Sequence, residues 1–404
     1  VANLRDQGWA HFDAIVAAAP LRDANPWRAS RRNPADPPTY EPDYDTLELL
    51  LGVPVHLGAT SQSGVPALAL DVWVAYEFRR AGFDPDRVWP RAEPPRVLPA
   101  EVTLFVERLP RRERAALWAY IGRGHGGTGT ANLLGKNYVK QVDVVMSSWA
   151  TGPELMVSTK RMDSSFGKNA ANRVEESYGD AKNLRLRHPQ AALGFVYALS
   201  ALALSTEAEA AEWLIDLLIK LGREDDAYDA VALLLPDRAA SPGGPDGQDG
   251  QATAGGLAAP DGLAVQDGQA EQAGLDGRDG PSARVDVAPG DAADEPPDEP
   301  AGPIEAGATA EWGWDAGQPL LPLQLPDDLF GGADGAPGTP SLDDAQPPVD
   351  LARLPRVRLL RDRVPAELDP GRFFAAMCAR VLDNSPVNFH RQARERRKTP
   401  RPAP

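Results

Sequence analysis

The sequence predicts an α/β fold in which a mixed sheet is flanked by helices, preceded by a helical N-terminal region and interrupted by a long acidic insert. Two observations predict the layered core. Runs at 138–147 and 154–162, and the apolar runs at 191–199 and 230–235, have the length and composition of strands. Stretches with apolar residues at helical spacing, 172–187 and 207–221, stand between them. The third observation is the composition of 237–349, where Gly, Pro, Ala, Asp and Gln dominate and 22 acidic residues face three Arg. Such a segment buries too little apolar surface to offset the entropy of ordering its backbone, so disorder is expected there. The whole chain carries a net charge of -16, which the insert alone exceeds, leaving the rest slightly basic. The acidic average therefore does not exclude a polyanionic partner for the folded part.

In chain order, Trp9, Phe12, Ile15 and Val16 predict a helix over 7–19 that Pro20 ends. Residues 23–44, rich in Pro, Asp and Arg, read as an extended connector. A second helix is predicted from Gly64, with Ala67, Leu70, Val74 and Phe78 on one face and Gly82 as its C-terminal cap. The proline-rich stretch after it gathers Arg79, Arg80, Arg87, Arg91 and Arg96 near Trp73 and Trp89. That mixture suits phosphate contact and base stacking, or equally a solvated Arg surface over a Trp-anchored core. Pro110 opens a helix with Ala116, Leu117 and Tyr120 on its apolar face. The Gly-rich 122–137 departs from a phosphate-cradling loop by one residue and by Asn137 at the magnesium-binding position, so a turn into a strand is predicted.

Thr206 and Glu209 predict a capping box for a helix that buries Trp213, Leu214, Leu217, Leu218 and Leu221. Beyond the insert, 356–360 is predicted to pair with 230–235 across an expanded loop, whose closure cost grows only logarithmically with length. A helix over 371–382 follows, with Phe373, Phe374, Met377 and Val381, and then a basic tail. The chain thus divides into 1–109, a helical Arg- and Trp-rich region suited to DNA recognition; 110–236, the core; 237–349, the insert; and 350–404, a strand and helix completing the core. A single cysteine, Cys378, excludes an internal disulfide and multi-cysteine zinc sites. The longest apolar run, 191–204, is too short to cross a bilayer and no leader opens the chain, which predicts a soluble cytoplasmic protein without a membrane partner.

The residues able to do chemistry concentrate in 140–187. Asp143 lies on one predicted strand, Ser158 and Lys160 on the next, and Glu175 and Glu176 on the following helix. With these residues, and with the order helix, short strand, strand, strand, helix, strand from residue 111, the chain resembles the PD-(D/E)xK, or restriction-endonuclease-like, nuclease superfamily. The resemblance covers roughly 111–199. It implies a restriction-endonuclease-like core and a Mg²⁺-dependent endonuclease, in which an Asp on one strand and an acid-x-Lys on the next bind the metal. The metal polarises the scissile phosphate and generates hydroxide, while the Lys orients the nucleophile and offsets developing negative charge.

Asp143 matches the first acid and Lys160 the lysine; the chain departs at Ser158, where the family usually has Asp or Glu. Strand alternation puts Glu154, Met156, Ser158 and Lys160 on one face, but at ~3.3 Å per residue Glu154 lies ~20 Å from Lys160, too far to substitute. The resemblance to Ser-x-Lys members implies that the second carboxylate comes from the helix, with Glu175 slightly favoured over Glu176. The implied metal ligands are therefore Asp143 with Glu175 or Glu176. Gln141, on the strand face of Asp143, is expected to contact the attacking water or a phosphate. Arg173 on the helix and Arg79, Arg80, Arg87 and Arg91 are expected to contact DNA.

The implied partners are double-stranded DNA, a second copy of the chain docked through the Phe373 and Phe374 helix, and a cognate DNA methyltransferase in a restriction or defence role. Two other readings stand beside this one: a catalytically silent DNA-binding or scaffold protein, in which Ser158 marks a lost acid, and a repair or RNA nuclease. Within the insert, Trp312, Trp314, Leu320, Leu321, Leu323 and Phe330 among acids suggest a short docking segment.

Overall fold

The computed structural model describes residues 3–30, 33, 35–121, 131–164, 166–237 and 349–402, the side chains of 62 and 167–173 excepted. Its helices are α1 (Leu4–Ala18), α2 (Tyr44–His56), α3 (Val65–Arg80), α4 (Ala100–Glu107), α5 (Arg111–Tyr120), α6 (Phe166–Arg185), α7 (Ala203–Thr206), α8 (Ala208–Leu221), α9 (Pro370–Asn384) and α10 (Arg391–Lys398). The strands are β1 (Trp27–Arg28), β2 (Thr39–Tyr40), β3 (Val88–Trp89), β4 (Ala131–Leu134), β5 (Val139–Val142), β6 (Val144–Ser148), β7 (Gly152–Met162), β8 (Ala192–Leu199), β9 (Ala230–Leu234), β10 (Pro236–Asp237) and β11 (Arg358–Leu359).

A five-stranded mixed sheet, in the order β3-β6-β7-β8-β9, lies between two layers of helices. β6 and β7 form an antiparallel hairpin, whereas β7, β8 and β9 run parallel. Parallel neighbours require a crossover, and α6 and α8 supply the two. Alternation along the strands sorts the core. Leu155, Val157, Ala192, Val196, Ala232 and Leu234 face a layer made from α1, α2, α3 and α9. Met156, Met162, Leu193, Phe195 and Leu233 face α6 and α8. The fold is thus mixed α/β, with helices on both faces of the sheet, as the patterning predicts.

Several expectations are corrected. The strand predicted over 138–147 is two strands: β5 pairs with β4 in a separate ribbon, and the chain breaks at Asp143 before β6 joins the main sheet. α3 is buried almost all round rather than on one face, because α1, α2 and α9 cover the side turned away from β6 and β7. Helices α1, α2 and α3 of the N-terminal region accordingly pack in the same core as the sheet. α2 is absent from the prediction because its Leu run, followed by Gly52 and Pro54, shows no clear period; Asp43 caps it by accepting from the Thr46 N–H at 3.1 Å. The capping box does not form, since the Thr206 hydroxyl donates to Leu202 O inside α7, and Trp213 is exposed while Leu214, Leu218 and Leu221 are buried. β10 pairs with β11, so the ends flanking 238–348 leave from neighbouring strands, just beyond the predicted partner 230–235. The insert, with its docking segment around Trp312 and Phe330, lies outside the described residues.

The C-terminal elements belong to the core as well. Phe373, Phe374 and Met377 of α9 are buried against the sheet and α3, so the face expected to carry a dimer is interior. The basic tail folds as α10. Arg394 donates to Leu382 O at 2.6 Å and Ser385 O at 2.8 Å, closing the carbonyl end of α9, and Asn25 Nδ2 donates to Arg396 O and Thr399 O. Gly82, at φ 99°, turns the chain out of α3 so closely under α10 that a Cβ there would lie 2.9 Å from Ala393 N. Among the described residues no helix is long and apolar enough to cross a membrane.

The start of β7 is pinned to this C-terminal segment. Glu154 accepts from His390 Nε2 at 2.6 Å, from the Thr151 hydroxyl at 2.8 Å and from the Ser385 hydroxyl at 3.3 Å. Burial would raise its carboxyl, but the bonds and charge of His390, with those of Thr151 and Ser385, outweigh it and hold it below the ordinary 4.5. A depressed folded value contributes stability that is present above the unfolded value and lost as pH falls through the folded one. Urea unfolding should show the wild type more stable than Glu154→Gln at pH 6, with the two converging below about pH 4. A gap of constant size down to pH 3 would assign the effect to shape rather than charge.

Candidate active site

Residues from four elements meet beside the second half of β7. Ser158 and Lys160 lie on the α6 side of the sheet and Thr159 on the α3 side, the alternation that a strand imposes. Asp143 stands at the break before β6, across from β7, where Val144 pairs with Val157; its Oδ2 accepts the Thr159 N–H at 2.7 Å. α6 crosses over this end of the sheet with Ser177, Asp180, Ala181 and Leu184 buried and Glu176 at the margin of that face. Lys160 Nζ reaches Glu176 Oε1 at 3.4 Å. Lys140 Nζ lies 3.9 Å from the same oxygen and 2.5 Å from Asp180 Oδ2, and the Tyr138 hydroxyl donates to Asp180 Oδ1 at 3.1 Å.

Helical phasing decides between the two glutamates. Glu176 and Asp180 are one turn apart, Glu176 meeting Lys160 of β7 and both meeting Lys140 of β5, whereas Glu175, among the described residues, makes no hydrogen bond or ion pair. Of the two glutamates it is therefore Glu176, not the slightly favoured Glu175, that reaches Lys160. Ser158 is buried, and the nearby Tyr228 hydroxyl donates to Ser177 O at 2.9 Å. Gln141 does not join the cluster: the break at Asp143 leaves it exposed on the β4–β5 ribbon, opposite Asn132.

The Arg residues expected on DNA are mostly internal. Arg80 is 1% exposed and ion-paired with Glu77 at 2.6 Å. Arg91 is buried against Asp86 at 2.7 Å, Arg96 pairs with Asp13 at 2.7 Å, and Arg87 lies 3.6 Å from Asp84. Arg79 donates to Pro90 O at 2.9 Å, and burial, with Arg96 nearby, pulls its guanidinium down to about 10. Arg79, Arg91 and Arg96 hold the proline-rich stretch together through Pro90 O, Pro95 O, Arg91 O and Ala92 O, while Trp73 is buried elsewhere, against Tyr44 and Phe374. The side chain of Arg173 lies outside the described residues.

Sequence reasoning missed Asp71, Lys140 and Asp180. Asp71 hides in the apolar pattern of α3, 88 residues before the Thr159 hydroxyl that donates to its Oδ1 at 2.5 Å. Burial first, and then the charge of Asp143, push the Asp71 carboxyl well above the usual carboxylate range. Burial also raises Asp143, against the Thr159 N–H and the charges of Lys160 and Lys140. The charge of the half-buried Asp143 disfavours the ionised form of Asp71, and a hard dication at Asp143 would remove that repulsion. Among the described residues no three His, Cys, Asp or Glu close around one ion. The protein would then supply one or two carboxylates and leave the remaining positions to water and phosphate, which fits Mg²⁺.

No protein-family model matches the chain, and no curated protein or solved structure does either.

Proposed function

We propose that the chain is a Mg²⁺-dependent endonuclease with a restriction-endonuclease-like core that hydrolyses phosphodiester bonds in double-stranded DNA, in restriction or defence. The observation that carries this reading is the approach of Lys160 to Glu176 at 3.4 Å on the sheet end where Asp143 is tied to β7. A lysine between carboxylates from a strand end and a following helix can bind a phosphate oxygen and orient an attacking water. Asp143 would hold the metal, and Glu176 would orient Lys160. Bound Mg²⁺ supplies positive charge against the scissile phosphate. Lys140 keeps Asp180 paired and adds positive charge at the same edge.

One observation favours a second reading, a silent DNA-binding protein on the same fold. Ser158, where the resemblance calls for an acid, is buried, and Glu176 is already engaged by two lysines. Incubation of the full chain with mixed plasmid and linear duplex DNA separates the two readings. Cleavage with Mg²⁺ that stops on chelation and returns on re-addition is the expected result. Binding without cleavage under Mg²⁺ or Mn²⁺ would leave the silent reading.

A further inference from the structure

The β4–β5 ribbon contributes only Lys140 to the cluster just described, and β5 ends at Val142, one residue before Asp143. Its back is held rigidly. Asn183 of α6 accepts from the Asn137 N–H at 2.8 Å, donates to Tyr138 O at 3.1 Å and takes the Lys136 N–H on its own carbonyl at 2.8 Å. Gly135 permits this approach, since a Cβ there would fall 2.1 Å from Asn183 Nδ2. Ala131 and Val142 are buried, and Leu133 packs beside them.

The front of the ribbon is open. Register pairs Asn132 with Gln141 and Leu134 with Val139, and all four are exposed, the two aliphatic residues at 48% and 60%. Directly opposed residues share a face, so two amides lie side by side next to two apolar side chains. Lys136 and Asn137 are exposed at the tip.

A B-form major groove admits a two-stranded ribbon, adenine edges pair with Asn and Gln amides, thymine methyls accept apolar contact, and a Lys at the tip meets phosphate. A dry protein partner would strand the amides of Asn132 and Gln141 without partners. Duplex RNA offers a major groove too deep and narrow for side chains to read. We infer that the β4–β5 ribbon reads the base sequence of the duplex DNA presented to Asp143, Lys160 and Glu176, with Asn132 and Gln141 reading bases and Lys136 contacting the backbone. This inference rests on the proposed nuclease reading, and it places recognition on β4–β5 instead of on the buried Arg79, Arg80 and Arg91.

The test is selection from a pool of random-sequence duplexes by the full chain in chelator, so that binding is read without cleavage. The wild type is expected to enrich a motif. Asn132→Ala/Gln141→Ala should retain affinity for the pool as a whole but lose discrimination by roughly 10- to 100-fold at the base pairs read. Lys136→Ala should weaken binding to all sequences alike and lower its salt dependence. An unchanged motif in the double variant, or no motif in the wild type, overturns the inference. Cleavage of the same pool with Mg²⁺ by wild type and Lys160→Ala judges the nuclease reading separately: a pool that is cut with the motif untouched by the double variant removes the ribbon assignment alone. All three substituted positions are exposed, and unchanged unfolding midpoints show that the variants fold.

Discussion

Lys160→Ala is expected to lower Mg²⁺-dependent cleavage of duplex DNA by roughly 10²- to 10⁴-fold, the range for losing a positioned proton-transfer or charge-stabilising group. The side chain lies on the α6 side of β7, partly exposed, with its Nζ 3.4 Å from Glu176 Oε1. Truncation leaves the β7 ladder and the core layers in place, so the unfolding midpoint should move little. Lys140, 3.9 Å from the same Glu176 oxygen, is held by Asp180 at 2.5 Å and is not free to replace it. Lys160→Arg should recover binding but little cleavage, because a planar fork presents its donors differently from a compact ammonium. Single-turnover cleavage at saturating enzyme separates the chemical step from binding. A Lys160→Ala variant that cuts at the wild-type rate would move the active site elsewhere in the protein.

Arg80→Ala is expected to destabilise the fold by about 3–5 kcal/mol, the cost of leaving a buried charge without its partner. That is a large share of the ~5–15 kcal/mol by which domains are stable. Glu77 and Arg80 have fully buried side chains and meet at 2.6 Å, one turn apart on α3. Glu77 also accepts from the Tyr40 hydroxyl at 2.9 Å and the Asp43 N–H at 2.7 Å, while Arg80 Nε donates to Leu21 O at 3.1 Å. Asp43 in turn takes the Tyr76 hydroxyl at 2.7 Å and caps α2. Removing Arg80 therefore loosens the connection between α3, the β2 segment and the start of α2. Glu77→Leu/Arg80→Met, which removes both charges at similar volume, should cost less than Arg80→Ala alone. Urea midpoints for the two singles and the double measure the coupling. A single variant within about 1 kcal/mol of wild type would show that packing, and not this network, holds the helices together.

Three of the four predicted strands, β7, β8 and β9, and the helices between them were legible in the sequence because period and composition are local properties, recorded within each segment. The same locality made the β7 face readable: Ser158 and Lys160 share it, and Glu154, assigned to the far end, meets His390 there. Other decisions depended on contacts between segments distant in the chain, and the tertiary structure made them. Glu176 rather than Glu175 reaches Lys160 because the packing of α6 on the sheet fixes its rotation, which a few residues of amphipathic pattern do not specify. Asp71 came to Thr159 across 88 residues of sequence. The Arg residues that looked like a DNA surface became internal because each found a carboxylate or carbonyl at close range, and a charge, unlike an apolar side chain, does not reveal from sequence whether water or a partner solvates it. Asp143 itself was legible, but the strand break that sets it at the edge of the sheet and turns Gln141 outward onto the β4–β5 ribbon was decided by pairing, since β5 joins β4 and β6 joins β7.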